Sequence, residues 1–168
     1  MVYEDGWSMG LTKEQCTALK CYTLQKPNIC REFNRRCRWA LPTEWSWSKF
    51  PFKSLWCLLL DAFKRLPKSD GRRRDFYRGM TRTVELESKS VCFAQFLSAS
   101  PSFDEAEKFT FDEEEGTVLT LQSVPVEYFR DISQFSIYPD HEEYLDESED
   151  GRRFVFREAE PIRERVLL

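Results

Sequence analysis

The chain has 168 residues, which is enough for one domain with a sizeable core, and 41% of them are hydrophobic. This apolar content, with 15% aromatic residues, excludes a disordered chain, and a formal net charge of −4 argues against nucleic acid as a partner. No stretch approaches the roughly 20 apolar residues of a membrane span, and the N-terminus MVYEDGWSMG lacks the features of a signal peptide. We therefore expect a cytoplasmic protein without a membrane span.

The cysteines and the single histidine give little basis for a metal site. The six cysteines contain no CxxC pair, and one histidine adds few zinc ligands. Their even number permits disulfides, but nothing in the sequence indicates an oxidising compartment. We expect free, mostly buried thiols and no metal.

The first third of the chain predicts amphipathic helices. A capping box formed by Thr12 and Gln15 marks the start of the first helix, whose apolar face is Leu11, Ala18, Leu19 and Tyr22. Pro27 separates it from a second helix, whose apolar residues recur at i, i+4 and i+8: Ile29, Phe33 and Cys37. The third helix ends before Pro67, and its apolar face is Leu55, Leu58, Leu59, Ala62, Phe63 and Leu66.

From about residue 71 the pattern changes to that of short strands. DFYRGM is short and aromatic, and SVCFAQFLSAS alternates, with one face formed by Cys92, Ala94, Phe96, Ser98 and Ser100. A second capping box, Ser102 to Glu105, predicts a short helix through Phe109, and further strands are expected in GTVLTLQSV, EEYL and RRFVFREAE. Helices followed by strands indicate the α+β class, with a helical layer packed on antiparallel sheets.

Three stretches of the strand half carry side chains suited to ligand chemistry. They are FYRGM, with Arg78 inside a strand; FLSAS, with an aromatic and two hydroxyls on one face; and the pair Glu142 and Glu143 after a turn-rich loop. Taken singly, each has an ordinary explanation: a solvated arginine at a strand end, a polar strand face and a surface turn. Their order and surroundings are more specific than any one of them.

Together these stretches resemble the Arg–Ser–Glu class of mono-ADP-ribosyltransferases, which contains cholera-like toxins and eukaryotic arginine-directed enzymes. The family's strand arginine within YRG corresponds to Arg78, and its Phe-x-Ser-Thr-Ser strand corresponds to FLSAS, followed by the helix DEAEKF. Its DIS-x-FS-x-YP segment and E-x-E strand correspond to DISQFSIYPDHEEYL. The helical stretches LTKEQCTALKCYTLQKP, REFNRRCR and LLLDAFKRLP also look like the eukaryotic members, so the resemblance covers about residues 10 to 157.

The resemblance implies a fold and a co-substrate. The expected fold is α+β, with an N-terminal helical layer packed on a split antiparallel β-sandwich core of the ADP-ribosyltransferase type. We expect a single domain over residues 1–168, mainly helical in 1–70 and mainly strand, with the NAD site, in 71–168. NAD would be the co-substrate, and no metal is implied.

The same resemblance assigns the residues that hold NAD. Arg78 would bind the phosphate side through its forked, charged donor. Gly79 would offer its backbone to the nicotinamide amide, because only glycine lets a ligand approach without a Cβ in the way. Phe96 would support the nicotinamide pocket, Ser98 would bond to the catalytic glutamate and the ribose, and Ser100 points to the same face.

The catalytic carboxylate implied by the resemblance is Glu143. It would grip the ribose 2′-OH and stabilise the oxocarbenium-like ribose that forms as nicotinamide leaves. If HEEYL is a strand, His141 and Glu143 point together while Glu142 points away, which favours Glu143 and leaves Glu142 as the alternative.

Three positions depart from the family pattern. Ala99 replaces the threonine between the two serines and faces away from the pocket, and DESED replaces the prolines that follow the glutamate strand. His141 stands where arginine-directed members carry glutamate and some glycohydrolase-leaning members carry glutamine.

His141, with Tyr138, falls at the position that recognises the acceptor in the family. A carboxylate accepts two parallel hydrogen bonds from a guanidinium group, whereas an imidazole offers at most one acceptor nitrogen. We therefore expect His141 to bind arginine poorly, although a neutral imidazole could activate a hydroxyl or a water. The alternative is a tolerated residue at the edge of a loop.

The resemblance leads to one main function and two alternatives. The main one is an NAD-dependent mono-ADP-ribosyltransferase that modifies a protein side chain, either arginine or another acceptor. The alternatives are an NAD glycohydrolase that uses water, and a weakly active NAD-binding module. We expect a monomer whose partners are NAD and an acceptor protein, in the cytoplasm or, as in toxins and injected effectors of this family, delivered without a recognisable signal peptide.

Overall fold

The computed structural model describes residues 10–24, 26–40, 47–68, 72–81, 90–92, 96–110, 116–137, 144–146, 153–155 and 159–162. The N-terminal part forms the predicted helices α1 (Lys13–Tyr22), α2 (Ile29–Ala40) and α3 (Lys53–Arg65). The capping box at the start of α1 is confirmed. The Thr12 amide donates to Gln15 Oε1 at 2.9 Å, and the Gln15 amide donates to Thr12 Oγ1 at 3.3 Å.

The helices bury one continuous aromatic core, which we call the helical core. The predicted face of α1 is confirmed there, since Leu11, Ala18, Leu19 and Tyr22 are all buried. On α2, Phe33 and Cys37 have no exposed surface, while the predicted Ile29 is only half-buried. On α3 the buried face includes Trp56, which the sequence analysis did not select, while Leu55 and Leu58 are only partly buried. The ring of Trp56 stacks on that of Phe33 with centroids 6.1 Å apart.

The strands form antiparallel sheets, as predicted. β1 (Arg73–Met80), β4 (Gly116–Pro125) and β8 (Ala159–Ile162) form one sheet in the order β1-β4-β8. β3 (Leu97–Ala99), β6 (Tyr144–Asp146) and β5 (Phe129–Asp131) form another in the order β3-β6-β5. β2 (Ser90–Cys92) pairs with β7 (Arg153–Val155). The chain therefore has the helical layer and the divided antiparallel sheets of the expected α+β fold.

The predicted strand over residues 90–100 differs from the observed arrangement. β2 and β3 pair with different partners in different sheets, and residues 93–95 between them, with Ala94, lie outside the described residues. After β3 comes the predicted short helix, α4 (Phe103–Glu107), where Ser102 Oγ accepts from the Glu105 amide at 3.4 Å. A 3₁₀ turn over Lys108–Thr110 extends α4 to the predicted Phe109.

A second apolar cluster, the strand core, lies between the two three-stranded sheets. Its residues are Phe76, Leu97, Ala99, Leu119, Leu121, Val124, Val126 and Phe129. The stretch 96–99 contributes to both clusters, since Phe96 belongs to the helical core while Leu97 and Ala99 belong to the strand core. This alternation follows from the period of two along an extended chain, and it places Ser98 beside both cores.

Five cysteines have free thiols, but only two of these are buried, so the prediction of mostly buried thiols is wrong for this set. Cys16 and Cys37 are buried, Cys21 and Cys30 are half-buried, and Cys57 is exposed. Burial raises the pKa of the Cys37 thiol to about 12. Within the ranges given above, no helix combines the length and the apolar character needed to cross a membrane.

Candidate active site

The two three-stranded sheets meet beside Arg78. The Tyr77 amide donates to the Ser100 carbonyl at 2.7 Å, and the Ser100 amide donates to the Tyr77 carbonyl at 2.9 Å, which forms an antiparallel bridge. β1 and the end of β3 are thereby held side by side although they belong to different sheets. The residues that follow Tyr77 and precede Ser100 face each other across this junction.

Arg78 and Ser98, predicted as site residues from separate motifs, are in direct contact. Arg78 Nη1 donates to the Ser98 carbonyl at 2.6 Å and to Ser98 Oγ at 2.9 Å. Both side chains are half-buried. Arg78 Nε is buried and has no hydrogen-bond partner among the described residues. The guanidinium is thus oriented by two neutral oxygens at the junction of the sheets.

Gly79 packs closely against α4, a contact that the sequence did not indicate. A Cβ added at this position would lie 1.9 Å from the Ala106 carbonyl oxygen and 3.0 Å from Phe109 Cβ. Glycine is therefore required for α4 to pack against β1, whatever binds on the other side. The predicted contact between the Gly79 backbone and nicotinamide stays a prediction.

Phe96 and Ser100 have clear roles within the protein. Phe96 is 1% exposed and its ring contacts Trp56, with centroids 5.0 Å apart, so it supports β3 from the helical core. Ser100 is 8% exposed, and its Oγ accepts from the Ser102 amide at 3.1 Å in the turn before α4. Their predicted contacts with NAD stay predictions.

A polar group that the sequence analysis missed lies behind Arg78 in the helical core. Tyr22 is fully buried, its hydroxyl accepts from Asn34 Nδ2 at 3.1 Å, and it also lies 3.5 Å from the Phe96 carbonyl. Burial and the nearby Cys30 raise the pKa of Tyr22 well above its usual range, and the positive charge of Arg78 opposes that shift. The spacing of Tyr22 in α1 indicates burial but carries no sign of this environment.

The predicted acceptor and catalytic residues Tyr138, His141 and Glu143, with the alternative Glu142, lie outside the described residues. The strand that follows them is described. β6 begins at Tyr144, the residue after Glu143, and Tyr144 pairs with Ala99 between the two serines of FLSAS. The chain that leaves Glu143 is therefore paired with the strand that carries Ser98.

Across the described part of the chain, no group of three or more histidine, cysteine, aspartate or glutamate side chains is arranged to hold a metal ion.

Comparison with known proteins gives a consistent result. The family described as NAD:arginine ADP-ribosyltransferase matches residues 4–148. The crystal structure of the eukaryotic mono-ADP-ribosyltransferase ART2.2 is 28% identical, with a TM-score of 0.64 over 92% of this chain and 68% of that chain. A variant of ART2.2 in complex with NAD is 27% identical, with a TM-score of 0.65 and the same coverage.

A more distant structure supports the fold alone. Vis toxin, an ADP-ribosyltransferase from Vibrio splendidus, is 16% identical, with a TM-score of 0.60 over 84% of this chain and 65% of that chain. No match was found among curated proteins.

Proposed function

The chain belongs to the NAD:arginine ADP-ribosyltransferase family, and on this premise we propose that Arg78, Ser98 and Glu143 act together on NAD. Its reaction is NAD-dependent mono-ADP-ribosyl transfer, with release of nicotinamide. The observation that carries the residue assignment is the contact between Arg78 and both oxygens of Ser98. It brings together two residues that lie 20 positions apart in the sequence.

Arg78 fits the role of binding the phosphates of NAD. Its only hydrogen-bond partners in the described ranges are uncharged oxygens, so its positive charge is not neutralised by a described carboxylate. A guanidinium binds phosphate through parallel N–H donors, and the buried Nε is a donor without a partner among these residues. Ser98, held against Arg78, would then lie beside the ribose next to nicotinamide.

The reaction replaces one bond to the ribose carbon with another. The glycosidic bond to nicotinamide breaks, and its electron pair leaves with the nicotinamide nitrogen. The ribose then carries positive charge, which a carboxylate such as Glu143 stabilises electrostatically without forming a bond. The acceptor nucleophile bonds to the same carbon and loses its proton. Connectivity supports Glu143 in this role, because Tyr144 directly after it pairs with Ala99 beside Ser98.

The acceptor is a protein side chain, and the chemistry of His141 limits which type of side chain it is. An imidazole cannot accept the two parallel hydrogen bonds by which a carboxylate orients arginine. It does supply a base near neutral pH for a hydroxyl acceptor or for water. His141 therefore also supports a second activity, hydrolysis of NAD to free ADP-ribose.

The chain acts as a single domain over residues 1–168, and we expect a monomer. Ile132 and Phe135, from the strand half, are buried in the helical core, which supports one folding unit rather than two. The free thiols suit a reducing cytoplasm. Delivery by secretion or injection without a recognisable signal peptide is the alternative.

Labelled NAD incubated with the protein and a cell lysate tests the function. We expect labelled protein bands from the wild type and a loss of about 100-fold or more in Glu143→Ala, the size of effect that a charge-stabilising group has at a reacting centre. Glu142→Ala is the matched control and should retain activity. Unchanged melting temperatures would show that both variants fold.

The products separate the alternatives. Free ADP-ribose without labelled protein would favour the glycohydrolase. NAD that raises the melting temperature without any product would favour a binding module. Full turnover in Glu143→Ala would contradict the assignment of the catalytic residue, and loss confined to Glu142→Ala would move the assignment there.

A further inference from the structure

Thr23, directly after α1, forms a hydrogen bond with a distant part of the chain. Thr23 is 7% exposed, and its hydroxyl donates to the Lys20 carbonyl at 2.9 Å. A threonine hydroxyl has one proton and two lone pairs, so Oγ1 still accepts after this donation. It accepts from the Ile137 amide at 3.3 Å, a contact across 114 positions of sequence.

Ile137 stands directly before the segment 138–143, and the residues that precede it are firmly held. Ile132 and Phe135 are buried in the helical core, and the Ser136 amide donates to the Ile132 carbonyl at 3.2 Å. The hydrogen bond from Ile137 to Thr23 extends this attachment by one residue. It fixes the position of the Ile137 amide relative to the end of α1.

The backbone of Thr23 is itself held in place by hydrogen bonds to α1. Its amide donates to the Leu19 and Lys20 carbonyls, which closes the last turn of α1. Its neighbour Tyr22 is fully buried and lies 3.5 Å from the Phe96 carbonyl, two residues before Ser98. The end of α1 therefore touches both the approach to β3 and the approach to residue 138.

We propose that Thr23 is a positioning residue for catalysis, which sets where the segment carrying His141 and Glu143 begins relative to Arg78 and Ser98. The proposal rests on the function proposed above. Thr23 touches neither NAD nor the acceptor in this scheme. It acts through the Ile137 amide.

Substitutions at Thr23 and at Thr17 of α1 test the proposal. Thr23→Val keeps the shape but removes the hydroxyl, and we expect kcat to fall about three- to tenfold, the effect of one neutral hydrogen bond, with little change in KM for NAD. Thr17→Val is the matched control, because the exposed Thr17 hydroxyl makes a similar intrahelical bond, to the Lys13 carbonyl at 2.8 Å, without a link to Ile137. Thr23→Ser restores the hydroxyl and should restore kcat.

A second variant changes Ile137, the donor of the hydrogen bond. It tests the proposal if Thr23→Val does not fold. Ile137→Pro removes the amide that Thr23 accepts, and the preceding Ser136 already has the extended ψ of 146° that a residue before proline prefers. We expect the same loss of kcat. Normal kcat in this variant, or equal kcat in Thr23→Val and Thr17→Val, would overturn the proposal.

Amide hydrogen exchange gives a readout that does not depend on turnover. Peptides spanning residue 137 should exchange faster in Thr23→Val than in the wild type, Thr17→Val or Thr23→Ser. Unchanged exchange would overturn the proposal even if the enzyme is active. If the wild type shows no NAD-dependent reaction, the proposed function fails, and exchange still decides whether Thr23 holds Ile137.

Discussion

Arg78 links two sheets at the candidate site and carries a positive charge that, in the proposed scheme, binds the phosphates of NAD. Its Nη1 bonds to both oxygens of Ser98 join β1 to β3 at the point where the Tyr77 bridge already holds them. Because the partners are neutral, the link does not neutralise the guanidinium. One nitrogen therefore orients the side chain of Arg78, and in the proposed scheme its charge is left for the phosphates of NAD.

Gly79 permits the close packing of α4 on β1, and Gly79→Ala tests this. The added Cβ would collide with the Ala106 carbonyl oxygen, so α4 must shift. We expect the free energy of unfolding to fall by about 1–3 kcal/mol, as in other overpacked cores. Chemical denaturation measures it, with Arg74→Ala, at an exposed position of the same strand, as the control. Equal stability of the two variants would show that α4 does not pack this closely.

His141 determines the acceptor in the proposed scheme, and His141→Glu changes that chemistry. A carboxylate at this position accepts two hydrogen bonds from a guanidinium group. We expect His141→Glu to raise transfer to agmatine about tenfold or more, the change that one added charge-assisted hydrogen bond produces. The assay is formation of ADP-ribosyl-agmatine, with hydrolysis of NAD measured in parallel. A variant that gains no transfer would show that position 141 does not orient the acceptor.

At the scale of elements, the buried face of α2 couples stability to pH. Cys37 is fully buried in the helical core, where desolvation disfavours the thiolate. This burial raises the pKa of Cys37 from 9.0 to about 12. The folded pKa lies above the unfolded one, so the folded state holds its proton longer. The stabilisation is complete below about pH 9 and is lost as pH rises toward 12.

The free energy of unfolding should therefore fall between pH 9 and 10.5, with a contribution from Cys37 of up to about 1.4 kcal/mol per pH unit. Cys37→Ala is expected to reduce this slope, although it lowers stability at neutral pH by leaving a small cavity. Cys57→Ala, at an exposed position, is the matched control. Denaturation at a series of pH values under reducing conditions measures both. An identical slope in the wild type and Cys37→Ala would show that the thiol ionises without unfolding.

At the scale of the whole molecule, the sequence predicts what depends on neighbouring residues. The capping box of Thr12 and Gln15 and the apolar face of α1 have signals a few residues long, and both are confirmed. The order of the motifs also indicates the family and its fold.

Contacts between distant residues were not predictable in this way. The division of residues 90–100 between two sheets depends on partners after residue 143, which an alternating pattern does not specify. The requirement for glycine at position 79 comes from Ala106, and the link from Thr23 to Ile137 spans most of the chain. Each of these contacts forms only when distant parts of the chain pack together in the folded protein.

The sharing of one short stretch between the two cores has a consequence for how such a protein can evolve. Phe96 is buried among the helices and Leu97 among the strands, with Ser98 next in line. A substitution that repacks either core therefore also acts on the neighbours of Ser98, the hydroxyl residue proposed for the site. In the proposed scheme, the stability of the fold and the affinity for NAD therefore change together. Lineages that alter the packing around Trp56 or Phe129 must compensate near β3 to keep the same affinity.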